Sequence, residues 1–182
     1  MKHALVIGGT GMLSGVSLWL LAQGYHVSVI ARNADRMKNL IEQTNLKGNI
    51  TPILVDYKRN EELQEKVQAT IEQNGSIDMV VAWVHSTAPE ALEIIAKEVS
   101  SSEKIWELFH VLGSSTDVNK IKKRVTMSED CLYHQIRLGF VIEDNCSRWL
   151  TNKEISDGVI ASIEERSKIR TVGQIEPWEK RP

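Results

Sequence analysis

Short apolar runs alternate along this chain with longer stretches in which apolar residues recur every three or four positions. The short runs predict strands buried on both faces, and the longer stretches predict amphipathic helices. Predicted strands cover residues 3–8, 25–31, 50–55, 77–84 and 105–112, and predicted helices cover 12–23, a segment capped by Asn33 or Asp35, 61–73 and 89–99. Five such alternations indicate an α/β fold of three layers, with helices on both faces of a doubly wound, mostly parallel sheet.

The second half of the chain has a less regular pattern. It predicts a short helix over 117–124, a strand over 133–142, a helix over 152–165 capped by Thr151, and a last strand over 169–175. Residues 176–182 predict no element, and an exposed Trp178 is unfavourable, so we expect this tail to dock on the body or on a partner subunit. The length, with 42% hydrophobic and 25% charged residues, suits a single domain over 1–182.

A glycine-rich turn joins the first predicted strand to the first predicted helix. A pyrophosphate needs bare backbone amides and the positive end of a helix dipole close to it, and glycine permits that approach. In the pattern G-x-G-x-x-G/A, Gly9 and Gly11 fill the first two positions and Ser14 the third. An ordinary strand-to-helix loop is the alternative, but the strand before, the helix after and a second strand ending at Arg32 favour a dinucleotide site. The residues predicted to surround the pyrophosphate are Gly8, Gly9, Thr10, Gly11, Met12 and Leu13.

The end of the second predicted strand indicates which dinucleotide is preferred. Sites that select NAD place a carboxylate there to hold the ribose 2′-hydroxyl, and that carboxylate would repel a 2′-phosphate. This chain has Arg32 at that place and Arg36 one helical turn later. Because a guanidinium binds phosphate through two parallel hydrogen bonds, the sequence predicts NADP rather than NAD.

Charge and composition narrow the classes of partner. A net charge of about −2 and a pI near 6.2 give no basic field for nucleic acid or an anionic membrane, so neither partner is expected. The run of Lys120, Lys122, Lys123 and Arg124 is interpreted as a solvated face rather than an anion site. No apolar stretch approaches a membrane span, and the first strand leaves no room for a signal peptide, so the expected location is the cytoplasm.

The cysteines and three of the histidines carry little functional signal. Cys131 and Cys146 lack a metal-ligand or C-x-x-C spacing and are expected to be packed thiols, and no metal site is predicted. His110 lies in the middle of a predicted strand and is interpreted as structural. His3 and His26 are expected at the surface or at strand starts, without partners.

Several motifs together resemble the short-chain dehydrogenases/reductases over nearly the whole chain. They are GGTGMLSG, ARN after the second strand, VDY after the third, VVAWVHS after the fourth, LGSS after the fifth and the late segment SRWLTNKEISDGVIASI. The turn is closer to the G-x-x-G-x-x-G of atypical members, with Gly8 and Gly11 matched and Ser14 replacing the last glycine. The resemblance implies a Rossmann-fold protein that binds NAD(P), with Asp56 near the adenine and Trp83 at the strand end beside the cofactor.

The resemblance also implies where catalysis takes place. Members that reduce carbonyl groups use a serine at the end of the fifth strand and a Tyr-x-x-x-Lys pair on the next helix. Here Ser114 or Ser115 matches the serine, and Tyr133 begins a Tyr-x-x-x-Arg sequence whose flanking residues alternate as in a strand. His85, after the fourth strand, is a second candidate to donate a proton or a hydrogen bond to substrate, although it also fits a structural role in the loop. The candidate catalytic residues are therefore His85, Ser114 and Tyr133.

Three functions remain open at this point. The first is an NADP-dependent oxidoreductase that transfers a hydride to or from a small organic substrate without the usual Tyr-x-x-x-Lys pair. The second is a catalytically inactive sensor or scaffold that binds NADP. The third, an enzyme acting on sugar nucleotides or an isomerase, usually needs a larger substrate domain than the roughly 40 residues that follow Ile142. Five tryptophans and an apolar tail suggest a homodimer or homotetramer.

Overall fold

A parallel β-sheet forms the centre of the computed structural model, which describes residues 1–116, 121 and 128–182. Within these residues the strands are β1 His3–Ile7, β2 His26–Ala31, β3 Ile50–Leu54, β4 Met79–Trp83, β5 Trp106–Leu112, β6 Cys131–Leu138, β7 Phe140–Glu143, β8 Cys146–Trp149 and β9 Ile169–Val172. The helices are α1 Ser14–Ala22, α2 Ala34–Glu42, α3 Asn60–Asn74, α4 Ala91–Ser100 and α5 Asn152–Glu165, with short 3-10 turns at Lys47–Asn49 and Trp178–Lys180.

The seven strands of the main sheet run parallel in the order β3-β2-β1-β4-β5-β6-β9. The chain winds from β1 to β3 in one direction and then crosses back to place β4 on the other side of β1. This reversal opens a crevice beyond the carboxyl ends of β1 and β4, where ligands bind in sheets of this kind. The predicted doubly wound α/β fold is confirmed.

Alternate residues of the central strands supply two separate apolar cores. On β1, Ala4 and Val6 belong to the core that includes residues of α1, α2 and α5, whereas Leu5 and Ile7 belong to the core that includes residues of α3 and α4. All five residues of β1 are buried, because a central parallel strand is covered on both faces. The three layers follow directly from this alternation.

The structure corrects the sequence predictions for the second half of the chain. The strand predicted over 133–142 is divided at Gly139 into β6 and β7, and β7 pairs with β8 in an antiparallel hairpin that was not predicted. Asp144 and Asn145 form its tip with φ of 49° and 63°, as the two-residue turn of a right-twisted hairpin requires. The predicted helix over 117–124 and the basic run lie outside the described residues, except for Ile121.

The C-terminal tail contacts the hairpin through a cation and two indole rings. The Arg181 guanidinium lies 5.4 Å from the ring centre of Trp149 and 4.8 Å from that of Trp178. The tail also contains the short 3-10 turn at Trp178–Lys180, so the expectation that it forms no element was wrong. Both indoles remain about half exposed, at 46% and 49%.

His3 begins strand β1, one of the two expected placements, and its side chain is buried there. Its Nδ1 lies 2.9 Å from the Gly75 carbonyl oxygen and its Nε2 lies 2.8 Å from the Ser28 hydroxyl. His26, beside it, contacts the Thr51 hydroxyl at 2.8 Å. Burial lowers the pKa of both histidines below the usual value. The register of β1 against β2 places His3 opposite His26 and so brings these side chains to their partners.

We expect Gly15→Ala to destabilise the protein because α5 packs directly against α1 at this glycine. A β-carbon on Gly15 would lie 2.8 Å from the Ser156 Cβ and 2.9 Å from its Oγ, and that hydroxyl donates a hydrogen bond to the Met12 carbonyl. The expected loss is about 1 to 2 kcal/mol of unfolding free energy, measured by urea denaturation. Adding Ser156→Gly should recover part of this loss. Gly48→Ala, where nothing lies within 4 Å, is the matched control and should change stability little.

Stability should fall as the pH drops from about 6.5 to about 4 because of His110 on β5. Burial lowers its pKa from 6.5 to about 4, so the unfolded chain binds a proton over this range that the folded chain excludes. The expected loss is about 3 kcal/mol at pH 4 relative to pH 7. Comparing urea denaturation of the natural protein with that of His110→Gln at each pH isolates this contribution. Parallel pH profiles for the two proteins would contradict the expectation.

Candidate functional site

The turn between β1 and α1 is a compact series of backbone hydrogen bonds. Gly8 donates to the Ile30 carbonyl of β2, Gly11 donates to the Gly8 carbonyl and Ser14 donates to the Gly11 carbonyl, at 3.3, 3.2 and 3.1 Å. Gly8 has φ of +83°, a conformation that L residues with side chains rarely adopt. The turn therefore carries the chain from the end of the strand into the helix with its backbone close to the sheet.

Gly9 is required by packing. A β-carbon there would lie 2.6 Å from the Ser17 Oγ and 2.9 Å from a methyl carbon of Val29, so no side chain fits. The Ser17 hydroxyl donates to the Gly9 carbonyl at 3.2 Å, which ties the turn to the first helical turn of α1. Leu13 is likewise buried in the core. Of the predicted cofactor residues, Gly9 and Leu13 thus support the turn from the inside.

Gly11 has no such packing requirement. The nearest atom to a β-carbon placed on it would be the Gly8 carbonyl oxygen, 4.0 Å away, and its φ is not in the left-handed region. Gly11 lines an open groove beside the start of α1, which has neither a side-chain cap nor an acidic residue in its first turn. A glycine with space around it at an uncapped helix N-terminus fits an anionic ligand that lies against the backbone.

The groove has a volume of about 640 Å³ and runs along the carboxyl ends of β1, β2, β3 and β4. The predicted cofactor residues that line it are Gly8, Thr10, Gly11, Met12, Arg32, Asp56 and Trp83. The structure thus brings together seven of the nine predicted residues, which come from four separate segments of the chain. The volume lies in the range of small-molecule and cofactor sites.

Three cations surround the end of the groove near β2 and β3. Arg32, Arg36 and Lys58 line it and are exposed, and none of them pairs with a carboxylate among the described residues. Asp56 lies in the same groove and accepts a hydrogen bond from the Lys58 backbone N–H at 3.0 Å. This end of the groove therefore favours a ligand that carries additional negative charge.

A second cavity of about 520 Å³ adjoins the groove. Trp83 and His85 line both spaces. The Trp83 side chain lies near Gly8 on one side and near Gly113 on the other, with its atoms 3.5 and 3.6 Å from β-carbons placed at those glycines. The groove and the cavity consequently meet at the end of β4, as a cofactor site and an adjoining substrate site would.

His85 is held in the loop by its neighbours. Its Nδ1 accepts a hydrogen bond from the Thr87 backbone N–H at 3.3 Å and lies 3.1 Å from the Thr87 hydroxyl. Its own backbone N–H donates to the Tyr57 hydroxyl at 3.2 Å. Because Thr87 uses Nδ1, Nε2 is the ring nitrogen available to a molecule in the cleft.

The other two catalytic candidates, Ser114 and Tyr133, do not line the second cavity. Of the adjacent serines after β5, Ser115 lines the cavity, whereas Ser114 is half-buried beside it. Tyr133 lies on strand β6 with Arg137, so their Cα atoms are about 13 Å apart and the two side chains do not form a pair. The Tyr133 hydroxyl instead contacts the His110 Nδ1 at 2.9 Å.

Sequence reasoning missed four residues of this site: Tyr57, Lys58, Thr87 and His110. The first three follow closely after residues that were predicted, so their proximity along the chain was an available signal. His110 was interpreted as structural, yet it lines the second cavity. In the described part of the chain, no group of three or more His, Cys, Asp or Glu side chains is placed to hold a metal ion, and no helix is long and apolar enough to cross a membrane.

Solved structures share this fold at low sequence identity. A candidate 3-oxoacyl-reductase from Bacillus thuringiensis is 16% identical with a TM-score of 0.71, covering 95% of this chain and 97% of that one. A short-chain dehydrogenase/reductase from Serratia marcescens is 14% identical with a TM-score of 0.71, covering 94% and 97%. An alcohol dehydrogenase from Thermococcus sibiricus, complexed with 5-hydroxy-NADP, is 16% identical with a TM-score of 0.70, covering 96% of each chain.

The family is identified from the amino-acid sequence. No curated protein sequence matches the chain. The family model described as short chain dehydrogenase matches residues 2–112, which is more than half of the chain and includes the glycine-rich turn and the ends of β1 to β5. The chain therefore belongs to the short-chain dehydrogenase/reductase family, whose members are NAD(P)-dependent oxidoreductases.

Proposed function

We propose that the protein is an NADP(H)-dependent oxidoreductase that transfers a hydride between the nicotinamide and a small organic substrate. The observation that carries this proposal is Gly11, which neither packing nor backbone conformation requires and which lines a groove at the uncapped start of α1. A side chain there would occupy the space in which a pyrophosphate contacts the backbone. Together with the family, the open glycine supports a retained nucleotide site.

NADP is favoured over NAD by the charges at the far end of the groove. Arg32, Arg36 and Lys58 line that end of the groove and are proposed to bind the 2′-phosphate, since Arg32 follows the strand end at which NAD-selective proteins have a carboxylate. Two guanidinium groups and an ammonium group supply several charge-assisted hydrogen bonds to one phosphate. Asp56, which accepts a hydrogen bond from the Lys58 backbone N–H, is proposed to lie near the adenine.

The cavity beside Trp83 is the proposed substrate site. Bound NADPH supplies a hydride to an electron-poor carbon, and the protein must provide the proton and the orientation. His85 is proposed as the proton donor, because it lines both spaces and is exposed to solvent, from which it would take a second proton. In that imidazolium, Nδ1 would donate to the Thr87 hydroxyl, and Nε2 would pass its proton to the substrate oxygen, which leaves a neutral ring. A serine hydroxyl from Ser114 or Ser115 would orient the substrate oxygen, and the cavity lining favours Ser115.

A catalytically inactive NADP-binding sensor is the second candidate. Its specific support is the sequence itself, in which none of the three tyrosines is followed four positions later by lysine. The residues that join β5 to β6, 113–130, contain no tyrosine, so the usual proton donor of the family has no equivalent in that segment. A sensor would bind NADPH at the groove and consume none of it with any carbonyl compound.

We expect Arg32→Ala to weaken NADPH binding about 10-fold or more and to change NADH binding less than about 2-fold. The reason is that the guanidinium contacts only the 2′-phosphate, which NADH lacks. Titration followed by tryptophan fluorescence measures both affinities, since Trp83 lines the groove.

Arg59→Ala is the matched control for this experiment. Arg59 is exposed and pairs with Glu62, so its loss changes the same charge near the groove without removing a lining residue. It should leave the preference for NADPH intact. An equal loss of NADH and NADPH affinity in Arg32→Ala would contradict the assignment of Arg32 to the 2′-phosphate.

We expect His85→Ala to abolish turnover while NADPH affinity changes less than about 2-fold, because the imidazole contributes a proton rather than binding energy for the nucleotide. Loss of NADPH absorbance with a panel of ketones and aldehydes measures turnover. His26→Ala removes a histidine at the amino end of β2 and should keep full activity. Full activity in His85→Ala would exclude His85 as the donor, and no turnover by the natural protein would favour the sensor.

We also propose that the protein forms a homodimer or homotetramer in the cytoplasm. The half-exposed indoles of Trp149 and Trp178 support self-association, since exposed aromatic clusters usually mark contact surfaces. The free thiols of Cys131 and Cys146 fit a reducing compartment. Light scattering of the purified protein tests the oligomeric state, and a monomer would refute it.

A further inference from the structure

One row of side chains across the main sheet is apolar as far as β4 and polar on β5 and β6. On the face covered by α3 and α4, neighbouring strands place Ile30, Ile7 and Ala82 side by side, and the next two residues in the same row are His110 and Gln135. His110 is only 6% exposed and Gln135 only 2%. Burying a polar side chain in an otherwise apolar sheet face costs free energy unless its polar atoms form hydrogen bonds.

His110 satisfies only one of its ring nitrogens among the described residues. Its Nδ1 lies 2.9 Å from the Tyr133 hydroxyl, and the two rings meet edge to face with centres 5.9 Å apart. Burial raises the pKa of Tyr133, so its hydroxyl keeps a proton that it can donate to Nδ1. Burial also lowers the pKa of His110 to about 4, which keeps the imidazole neutral, and when Nδ1 accepts from Tyr133 the ring proton lies on Nε2.

The cavity that His110 lines has no Asp, Glu, Lys or Arg side chain among its described residues. Its described wall is mostly apolar, with contributions from Val84, Leu92, Val111 and Leu112. Against these described residues, an anionic or cationic substrate would lose its hydration without gaining a partner of opposite charge. A molecule with an apolar body and an uncharged oxygen would bury its carbons and need one hydrogen-bond donor.

We propose that His110, held in place by Tyr133, donates a hydrogen bond through Nε2 to the carbonyl oxygen of an uncharged, apolar ketone or aldehyde bound in this cavity. The inference rests on the proposed function and names the class of its substrate. His110 acts by binding and orienting the carbonyl group, and it transfers no proton, because loss of the Nε2 proton would leave an imidazolate. Tyr133 is a positioning residue that fixes the ring and its tautomer.

The test uses acetophenone labelled with ¹³C at its carbonyl carbon, observed by NMR with the full-length protein in the presence and absence of NADP⁺. Because NADP⁺ carries no hydride to transfer, the ketone stays intact. We expect acetophenone to bind with a Kd of about 1 mM or tighter, and its carbonyl resonance to move downfield because the oxygen accepts a hydrogen bond. Benzoate has a similar size but a negative charge, and it should not compete.

Three variants assign the effect to His110. His110→Phe keeps an aromatic ring and should weaken binding about 5-fold or more and abolish the downfield shift. Tyr133→Phe keeps His110 and should give a smaller shift and a loss of about 2-fold, which preserves the test if His110→Phe does not fold. His26→Gln is the matched control, since His26 also contacts a hydroxyl, that of Thr51, but lies at the opposite end of the sheet. It should bind acetophenone like the natural protein.

Each contrary outcome has a distinct meaning. Absence of acetophenone binding up to about 10 mM, binding without the downfield shift, or a shift retained in His110→Phe would overturn the role of His110. Competition by benzoate would overturn the uncharged substrate class. Binding that depends on His110 in a protein that binds no nucleotide would refute the proposed oxidoreductase function while leaving the carbonyl site in place.

Discussion

Contact between the Gly9 backbone and the first turn of α1 is the constraint on which the site depends. Ser17 and Val29 approach Gly9 so closely that no β-carbon fits, and the Ser17 hydroxyl holds the Gly9 carbonyl. This packing fixes the path of the chain between β1 and α1. Gly11, two residues later, lines the groove and has no packing requirement of its own, so packing explains the first glycine and the proposed nucleotide would explain the second.

The order of the strands determines what else surrounds that turn. Because β1 lies between β2 and β4, residues at the ends of all three strands meet at one crevice. Arg32 comes from the end of β2, and Trp83 comes from the end of β4. Trp83 then separates a groove whose three cations pair with no carboxylate among the described residues from a cavity whose described wall is mostly apolar. A charged nucleotide and an uncharged substrate would each find a suitable environment on its own side of the indole.

Local patterns were sufficient to predict the parallel sheet, the glycine-rich turn and Arg32, because each depends on residues close together in the chain. The hairpin of β7 and β8 was missed because the strand-like alternation of Ile136, Leu138 and Phe140 continues across Gly139, and the Asp144–Asn145 turn was not recognised. The partners of His3 were not predicted because Gly75 and Ser28 are supplied by distant segments of the chain. The contact of His110 with Tyr133 depends on the register of β5 against β6, which no short stretch of sequence specifies.

The absence of a Tyr-x-x-x-Lys sequence and the presence of polar residues in the buried row of the sheet have a common explanation. The family's tyrosine normally comes from the helix after β5, but residues 113–130 of this chain contain no tyrosine. Tyr133 lies instead on β6, where its hydroxyl contacts the buried His110.

A neutral imidazole is a poorer acid than a tyrosine activated by lysine. It is nevertheless a good hydrogen-bond donor in an apolar cavity, where an unpaired donor would be costly. If His85 supplies the proton from solvent, the two tasks that one tyrosine performs elsewhere are divided here between an exposed and a buried histidine. Substrate selection and proton supply would then depend on different residues, so substitutions at one should leave the other intact.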